Sequence, residues 1–301
     1  DLIKSYLLKS SSLKEIKTRI GSVKSTRQIT SAMKMVASAK LHKAQGAIES
    51  MLPYQSKLNA ILTNFLSTDS EIESPFTRVR PVQKVALVVF SSNSSLCGSF
   101  NANVLKQFAL AHESYQQLGA DNILVFPVGK KIEEKVRKMG YQTQGSFQHM
   151  ADKPSYDETV QLATRLMEMF LAGEVDKVEL IYHHFKSVGS FQLVQETYLP
   201  IDLSTAESAS EKKATGRKID YIVEPSVEEF IAHLLPRVIT LKMFTALLDS
   251  NASEHAARTM AMQIATDNAN ELIQELTKQY NKIRQQIITN ELLDIVGGSM
   301  R

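Results

Sequence analysis

The last seventy or so residues, from about Ser226 to Val296, constrain this chain more than any other stretch. Leu272, Leu276, Tyr280, Ile283, Ile287, Ile288, Leu292 and Ile295 follow one another mostly at steps of three and four, which keeps apolar side chains on one helical face. A helix of about seventy residues is roughly 100 Å long, far wider than a compact domain of this size, so much of it needs another helix to lie against. The first fifty residues offer that partner. Apolar positions run Ile16, Ile20, Val23, Met33, Val36, Ala47, Met51, Tyr54, Leu58, Ile61 and Phe65. Ser12 is placed as an N-cap with Glu15 as its capping-box mate, and Pro53 predicts a bend or a local opening. Arg27 and Thr30 interrupt the apolar stripe with polar side chains. Two readings of that gap stand open: a register-setting polar layer, or a contact to another chain.

Between the helices the period changes. Residues 67–83 are rich in Ser, Thr, Glu and Pro and read as a linker. Lys84–Phe90 and Ile123–Val128 are short continuous apolar runs, the pattern of strands buried on both faces of a parallel sheet. Helices are expected over Asn101–Leu118, Lys130–Met139 and Ser155–Leu171, a strand over Val178–His183, and an outer strand over Phe191–Leu199. Ser204–Lys218 reads as a polar loop or hairpin and Tyr221–Val223 as a last edge strand. Pro225 and Pro236 start or kink the terminal helix. Strand and helix in alternation make the middle an α/β layer structure. The fold class is therefore α/β: a long antiparallel coiled coil of N- and C-terminal helices with an inserted Rossmann-like α/β domain. The expected divisions are an N-terminal extension (1–12, a processing product or a non-native remnant), a coiled-coil helix (13–66), the linker, the α/β domain (84–224) and a second coiled-coil helix (225–301). Small residues from Asn251 to Ala269, set against Ser31, Ala32, Ala37, Ser38, Ala39 and Ala44, mark the expected seam between the two helices.

Charge and motifs remove several function classes. The net charge is only +3, yet residues 13–43 hold eight basic side chains against one acid, Glu15, an excess that needs a partner or a solvent-facing reason. No run of eighteen apolar residues occurs, so no membrane span is expected. The single cysteine, Cys97, excludes an internal disulfide and reads as a small buried thiol rather than a nucleophile. No Gly-x-Gly follows the first strand, and Gly129-Lys130 lacks both the Ser or Thr and the first Gly of a phosphate loop. His183 and His184 are neighbours on a strand, point to opposite faces and make a poor metal pair; one buried and one exposed histidine is the simpler expectation. No catalytic residue, cofactor or metal site is expected. Function should lie in shape and partner surfaces.

Both chain ends carry a resemblance. Leu13-Lys-Glu-Ile-Lys-Thr-Arg-Ile-Gly-Ser-Val-Lys-Ser-Thr-Arg-Gln-Ile-Thr-Ser-Ala-Met-Lys-Met-Val-Ala-Ser-Ala-Lys40 resembles the opening of the γ subunits of F-type ATP synthases. Ile288-Thr-Asn-Glu-Leu-Leu-Asp-Ile-Val-Gly-Gly298 is similar to their C-terminal signature, with Ser299 where Ala is usual. Ala252–Met262 with Ala265-Thr-Asp-Asn-Ala269, and Leu96-Cys-Gly98 with Asn101, match internal motifs, although Ser94-Ser95 stand where many members have Arg-Gly. The likeness covers Leu13 to Met300. It implies a central-stalk rotor whose coiled coil enters a ring of three α and three β subunits. The α/β domain would be a foot on the membrane c-ring beside the ε subunit, coupling ion-driven rotation to the catalytic β sites. Partner contacts are implied at Met33 and Lys34, and at Arg284, Gln285, Thr289 and Glu291. Membrane contact would come only through the rotor ring, on the cytoplasmic face of a bacterial plasma membrane rather than a mitochondrial one. No thiol control is expected, since the cysteine pair of the chloroplast form has no counterpart. The alternative is a self-assembling helical filament protein, which also pairs terminal helices around an inserted domain. A nucleic-acid clamp would need aromatics interleaved with its basic helix, and the chain has none there.

Overall fold

The apolar run after Lys84 forms β1 (Val85–Phe90), buried on both faces along its length. It is the inner strand of a four-stranded sheet in a computed structural model that describes the backbone of residues 2–68, 74–201 and 226–299, and the side chains of 13–62, 74–201, 226 and 228–296. β1 pairs in parallel with β2 (Ile123–Val128) on one side and with β3 (Lys177–Ser187) on the other. β4 (Ser190–Leu199) returns antiparallel to β3 as the outer strand, giving the order β2-β1-β3-β4. The expected strand over Val178–His183 thus continues past His183 to Ser187 and turns at Val188-Gly189 into a hairpin.

Alternation along β1 divides the core into two layers. Val85, Leu87 and Val89 pack with Val104, Phe108 and Ala111 of α2 (Phe100–Ser114) and with Ile132 and Val136 of α3 (Lys130–Lys138). Ala86, Val88 and Phe90 face the other way. There they meet Met150 of the short α4 (Gln148–Asp152), which sequence periodicity does not show, and Leu162, Leu166 and Phe170 of α5 (Tyr156–Leu171). Successive side chains on a strand point to opposite faces, so one six-residue run serves both layers. α5 begins where Ser155 accepts a hydrogen bond from the Glu158 N–H, a capping-box spacing of Ser and Glu.

Two long helices frame this sheet in sequence, α1 (Leu2–Thr68) and α6 (Val227–Ser299). Ser12 is not the start of α1; the helix runs through it from Leu2, and Pro53 lies inside α1 as Pro236 does inside α6. The expected linker begins as helix and includes a 3-10 turn at Pro75–Thr77. The expected loop at 204–218 and edge strand at 221–223 lie outside the described residues. The chain divides into two compact units, residues Ser38–Ala257 and residues up to Ala37 together with those from Arg258 onward.

In the first of these units, α6 is buried on nearly every side from Ile239 to Ala257, with Leu241, Met243, Phe244, Leu247 and Leu248 in the same core as β1 and α5. The seam there is smaller than expected. Leu41 and Ala44 of α1 pack on Ala252 and Ala256, while Ser38 and Ala39 are exposed. α6 also contains a stretch of mean hydropathy 1.4, apolar enough for a membrane span by composition, but 56% of it is buried within the protein, as in the core helix of a globular fold.

The second unit is a helix pair. Arg27 meets Asn270 and Thr30 meets Thr266, so residue number rises on one helix as it falls on the other and the pairing is antiparallel. Among the covered side chains of α6 there, Met262, Thr266, Ala269, Ile273, Leu276, Tyr280, Ile283 and Ile287 recur at alternating steps of four and three. Among those of α1, Leu13, Ile16, Ile20, Val23, Arg27, Thr30, Lys34 and Ala37 do the same. A repeat of 3.5 residues is the seam of a left-handed coiled coil. Arg27 and Thr30 therefore form a polar layer inside that seam, one of the two readings left open by the sequence. Val36, expected on the stripe, is instead 58% exposed.

Candidate partner-contact surface

Among the described side chains the α6 seam ends at Ile287, but apolar side chains do not. Ile288, Leu292, Leu293, Ile295 and Val296 are 46–68% exposed. A helix that is apolar on several sides at once is a helix with more than one neighbour, and single exposed residues do not explain five in nine positions. Arg284, Gln285, Thr289 and Glu291 are exposed among them, so four hydrogen-bonding side chains rim an apolar helix end. Such a surface suits an apolar collar with polar groups at its edge.

The other expected contact differs in character. Lys34 occupies a seam position and, like Met33, is half-buried, the setting in which a lysine's methylene stem covers apolar surface while its ammonium stays in water. The exposed large apolar side chains nearest to it in sequence are Ile29, Met35 and Val36, exposed by 60%, 63% and 58%. Thr30 lies opposite Thr266, which places Met33 and Lys34 beside α6 residues near 262. Arg284 is some twenty-two residues further along, about 30 Å at 1.5 Å per residue. The six expected residues thus form two separate patches in one unit.

The carboxyl edge of the sheet, where open α/β folds bind ligands, is occupied by the chain itself. Asn93 Oδ1 accepts from the Lys130 N–H at 2.8 Å, Ser91 Oγ from the Ile132 N–H at 3.0 Å, and the Ser92 carbonyl from the Lys131 N–H at 3.1 Å. These are the first-turn donors of α3 that would otherwise hold an anion. Gly129, at φ +111°, makes the approach possible, for a Cβ there would lie 2.2 Å from the Ser91 carbonyl oxygen. The space left between Ser91 and Ser250, Asn251 and Glu254 of α6 is about 10 Å³, far below the several hundred Å³ of a small-molecule site.

Nearby, Cys97 is buried and accepts from Asn101 Nδ2 at 3.1 Å, while Asn101 also holds the Ser92 main chain. The loop is closed further by Leu96 at φ +66°, whose side chain turns out to solvent, and by Gly98 at φ +58°. His183 is 1% exposed, stacked on Phe100 at 4.5 Å and edge-on to Phe191, and burial lowers its pKa to about 4. His184, on the opposite face, is half-exposed and bonds Asp249 of α6. Among the described residues no group of three His, Cys, Asp or Glu is placed to hold a metal ion.

A family model for ATP synthase matches residues 12–300. The chain is 70% identical over 289 residues to the ATP synthase gamma chain of Bacteroides fragilis, covering 96% of this chain and 99% of that one. The chain belongs to the ATP synthase γ chain family. It is 65% identical to the gamma chain of Bacteroides thetaiotaomicron, with 96% of this chain and 99% of that one covered. The fold is shared with a chain of the Euglena gracilis mitochondrial ATP synthase at a TM-score of 0.62 and 19% identity, covering 97% of this chain and 94% of that one. It is shared also with a chain of the Tetrahymena thermophila mitochondrial ATP synthase central stalk and c-ring, at 0.56 and 23%, covering 79% and 99%. Membership of this family sets the filament reading aside.

Family membership explains why motifs sit where they do. Leu96, Cys97, Gly98 and Asn101 close the β1 loop, and Ala252 and Ala256 make the close approach to α1. Sequence reasoning missed the polar links that α6 makes to β3 and β4. A signal was available: Asp249 is the one acid between Glu229 and Glu254, in a mainly apolar stretch of the helix, and an acid in such a setting is buried only with a partner.

Proposed function

We propose that this chain is the central-stalk rotor of an F-type ATP synthase, passing ion-driven rotation of a membrane ring to the catalytic β subunits. The exposed apolar end of α6 carries the reading. Ile288, Leu292, Leu293 and Ile295 lie beyond the last described seam residue and are exposed, a surface that a collar supplied from outside the chain would cover. A ring of three α and three β subunits has a central cavity of that kind. The chain is not itself an enzyme: the nucleotide sites belong to β. It acts by presenting different surfaces to three otherwise equivalent sites, and differential contact energy is the only means by which one protein shifts another's conformational equilibrium.

In this reading Arg284, Gln285, Thr289 and Glu291 contact a catalytic β subunit near the end of α6, and Met33 and Lys34 contact acidic β loops lower on the shaft. The basic excess of residues 13–43 serves the same contact. The shaft is formed by residues 13–66 and 225–301, and the α/β foot, residues 84–224, stands on the c-ring beside ε. The complex is membrane-associated, and the chain lies on the cytoplasmic face of a bacterial plasma membrane, its relatives being bacterial. Size-exclusion of the chain with α and β tests this. One copy eluting with a hexamer that hydrolyses ATP is expected, and a chain that elutes alone or as a growing polymer would overturn it.

A further inference from the structure

Torque reaches the terminal helix only if that helix cannot turn about its own axis within the foot. Apolar packing resists such a turn weakly, because sliding exchanges one contact for a similar one. Directional bonds resist it strongly. Within the Ser38–Ala257 unit, α6 makes four polar links to the β3–β4 hairpin. Tyr198 Oη donates to the Ile239 carbonyl at 2.9 Å, and Lys242 Nζ donates to the Thr197 carbonyl at 3.0 Å and pairs with Glu196 at 3.3 Å. Asp249 bonds His184, and Ser253 Oγ donates to the His183 carbonyl at 3.2 Å. Tyr198, Ile239 and Ser253 are fully buried, and Asp249 nearly so.

The spacing of these anchors is periodic. Residues 239, 242, 249 and 253 fall within an arc of about 80° at 100° per residue, and along about 20 Å of helix at 1.5 Å per residue. The hairpin advances with them, from Tyr198 and Thr197 at its base to His183 and His184 near its tip. One face of α6 is thus bonded along its length to one hairpin. A rotation of about 30° would carry a side-chain atom about 3 Å at the outer radius of a helix, and the Ile239 carbonyl, nearer the axis, about 1 Å, enough to break or misalign these bonds.

We infer that the β3–β4 hairpin is the torque seat of the terminal helix. Tyr198, Lys242, Ser253 and the His184–Asp249 pair are positioning residues that fix the rotational register of α6 against the foot. The inference rests on the rotor reading. Its test is made in the assembled α3β3 complex, with a bead on the foot, by comparing wild type with the triple variant Tyr198→Phe, Lys242→Met, Ser253→Ala. Angular variance of the stalled rotor is expected to rise about twofold or more with three of four links gone, and ATP-driven ion pumping by the whole synthase to fall several-fold. Hydrolysis by the complex without its membrane part should stay at the wild-type rate. Gln107→Ala breaks a link of the same hairpin to α2, Gln107 to Gln195 at 2.6 Å, and should leave the variance unchanged. If the triple variant does not assemble, the single variants carry the same comparison, and Lys242→Arg should restore what Lys242→Met loses. Equal variance and equal pumping in a rotating wild type and its variants would overturn the torque seat. A wild type that does not rotate would overturn the rotor reading instead.

Discussion

His183 shows what burial does to one side chain. Its neighbours are Phe100 and Phe191, and its pKa is lowered from 6.5 to about 4 because the charged ring is not solvated there. The unfolded chain takes up the proton first, so stability is lost as pH falls from 6.5 toward 4, by about 3 kcal/mol from this residue. Denaturant unfolding should show His183→Phe gaining on wild type by about that amount between pH 7 and pH 4. A difference that stays constant with pH would contradict the burial. Gly129→Ala is the second test at this scale. With φ +111° and the Ser91 carbonyl 2.2 Å from the new Cβ, it should cost about 3 kcal/mol or more and lower the melting temperature sharply. The opposite fates of His183 and His184 were legible, because strand periodicity alone separates them. The Ser12 cap was not, because Ser and Glu three apart occur inside helices as well as at their starts.

At the scale of elements, the strands were legible wherever a six-residue apolar run must serve two layers, as at β1 and β2. α4 was not, since five residues carry too little periodicity to read. Pro53 and Pro236 do not end their helices. Proline removes one backbone donor, yet α1 and α6 run on past Pro53 and Pro236, because tertiary packing holds the helix on both sides of the lost bond. The polar layer of the coiled coil makes its own prediction. Thr30 and Thr266 share a hydrogen bond at 2.9 Å in the seam. A double-mutant cycle with valine at each position should give a coupling of about 0.5–1 kcal/mol in thermal unfolding. The double valine variant should match or exceed wild type in stability, because both polar partners leave together. A coupling near zero would mean that the pair is solvated rather than joined.

For the whole molecule, the contact residues could be named from sequence only through motif likeness, because a partner surface has no periodicity of its own. What the fold adds is their context: four exposed polar side chains among apolar ones at the end of α6, and a half-buried lysine in the seam. Replacing Arg284, Gln285, Thr289 and Glu291 together by alanine should leave the chain folded, each surface change being worth about 0.5 kcal/mol or less. Coupled ATP synthesis should fall several-fold, and an unchanged synthesis rate would remove these residues from the β contact. The most direct measurement of the central claim is single-molecule rotation: α3β3 fixed to a surface, this chain at its centre, a bead on the foot, ATP added. The rotor account predicts unidirectional turning with three stops per revolution, one for each β subunit. A hexamer that hydrolyses ATP while the bead stays still would contradict it.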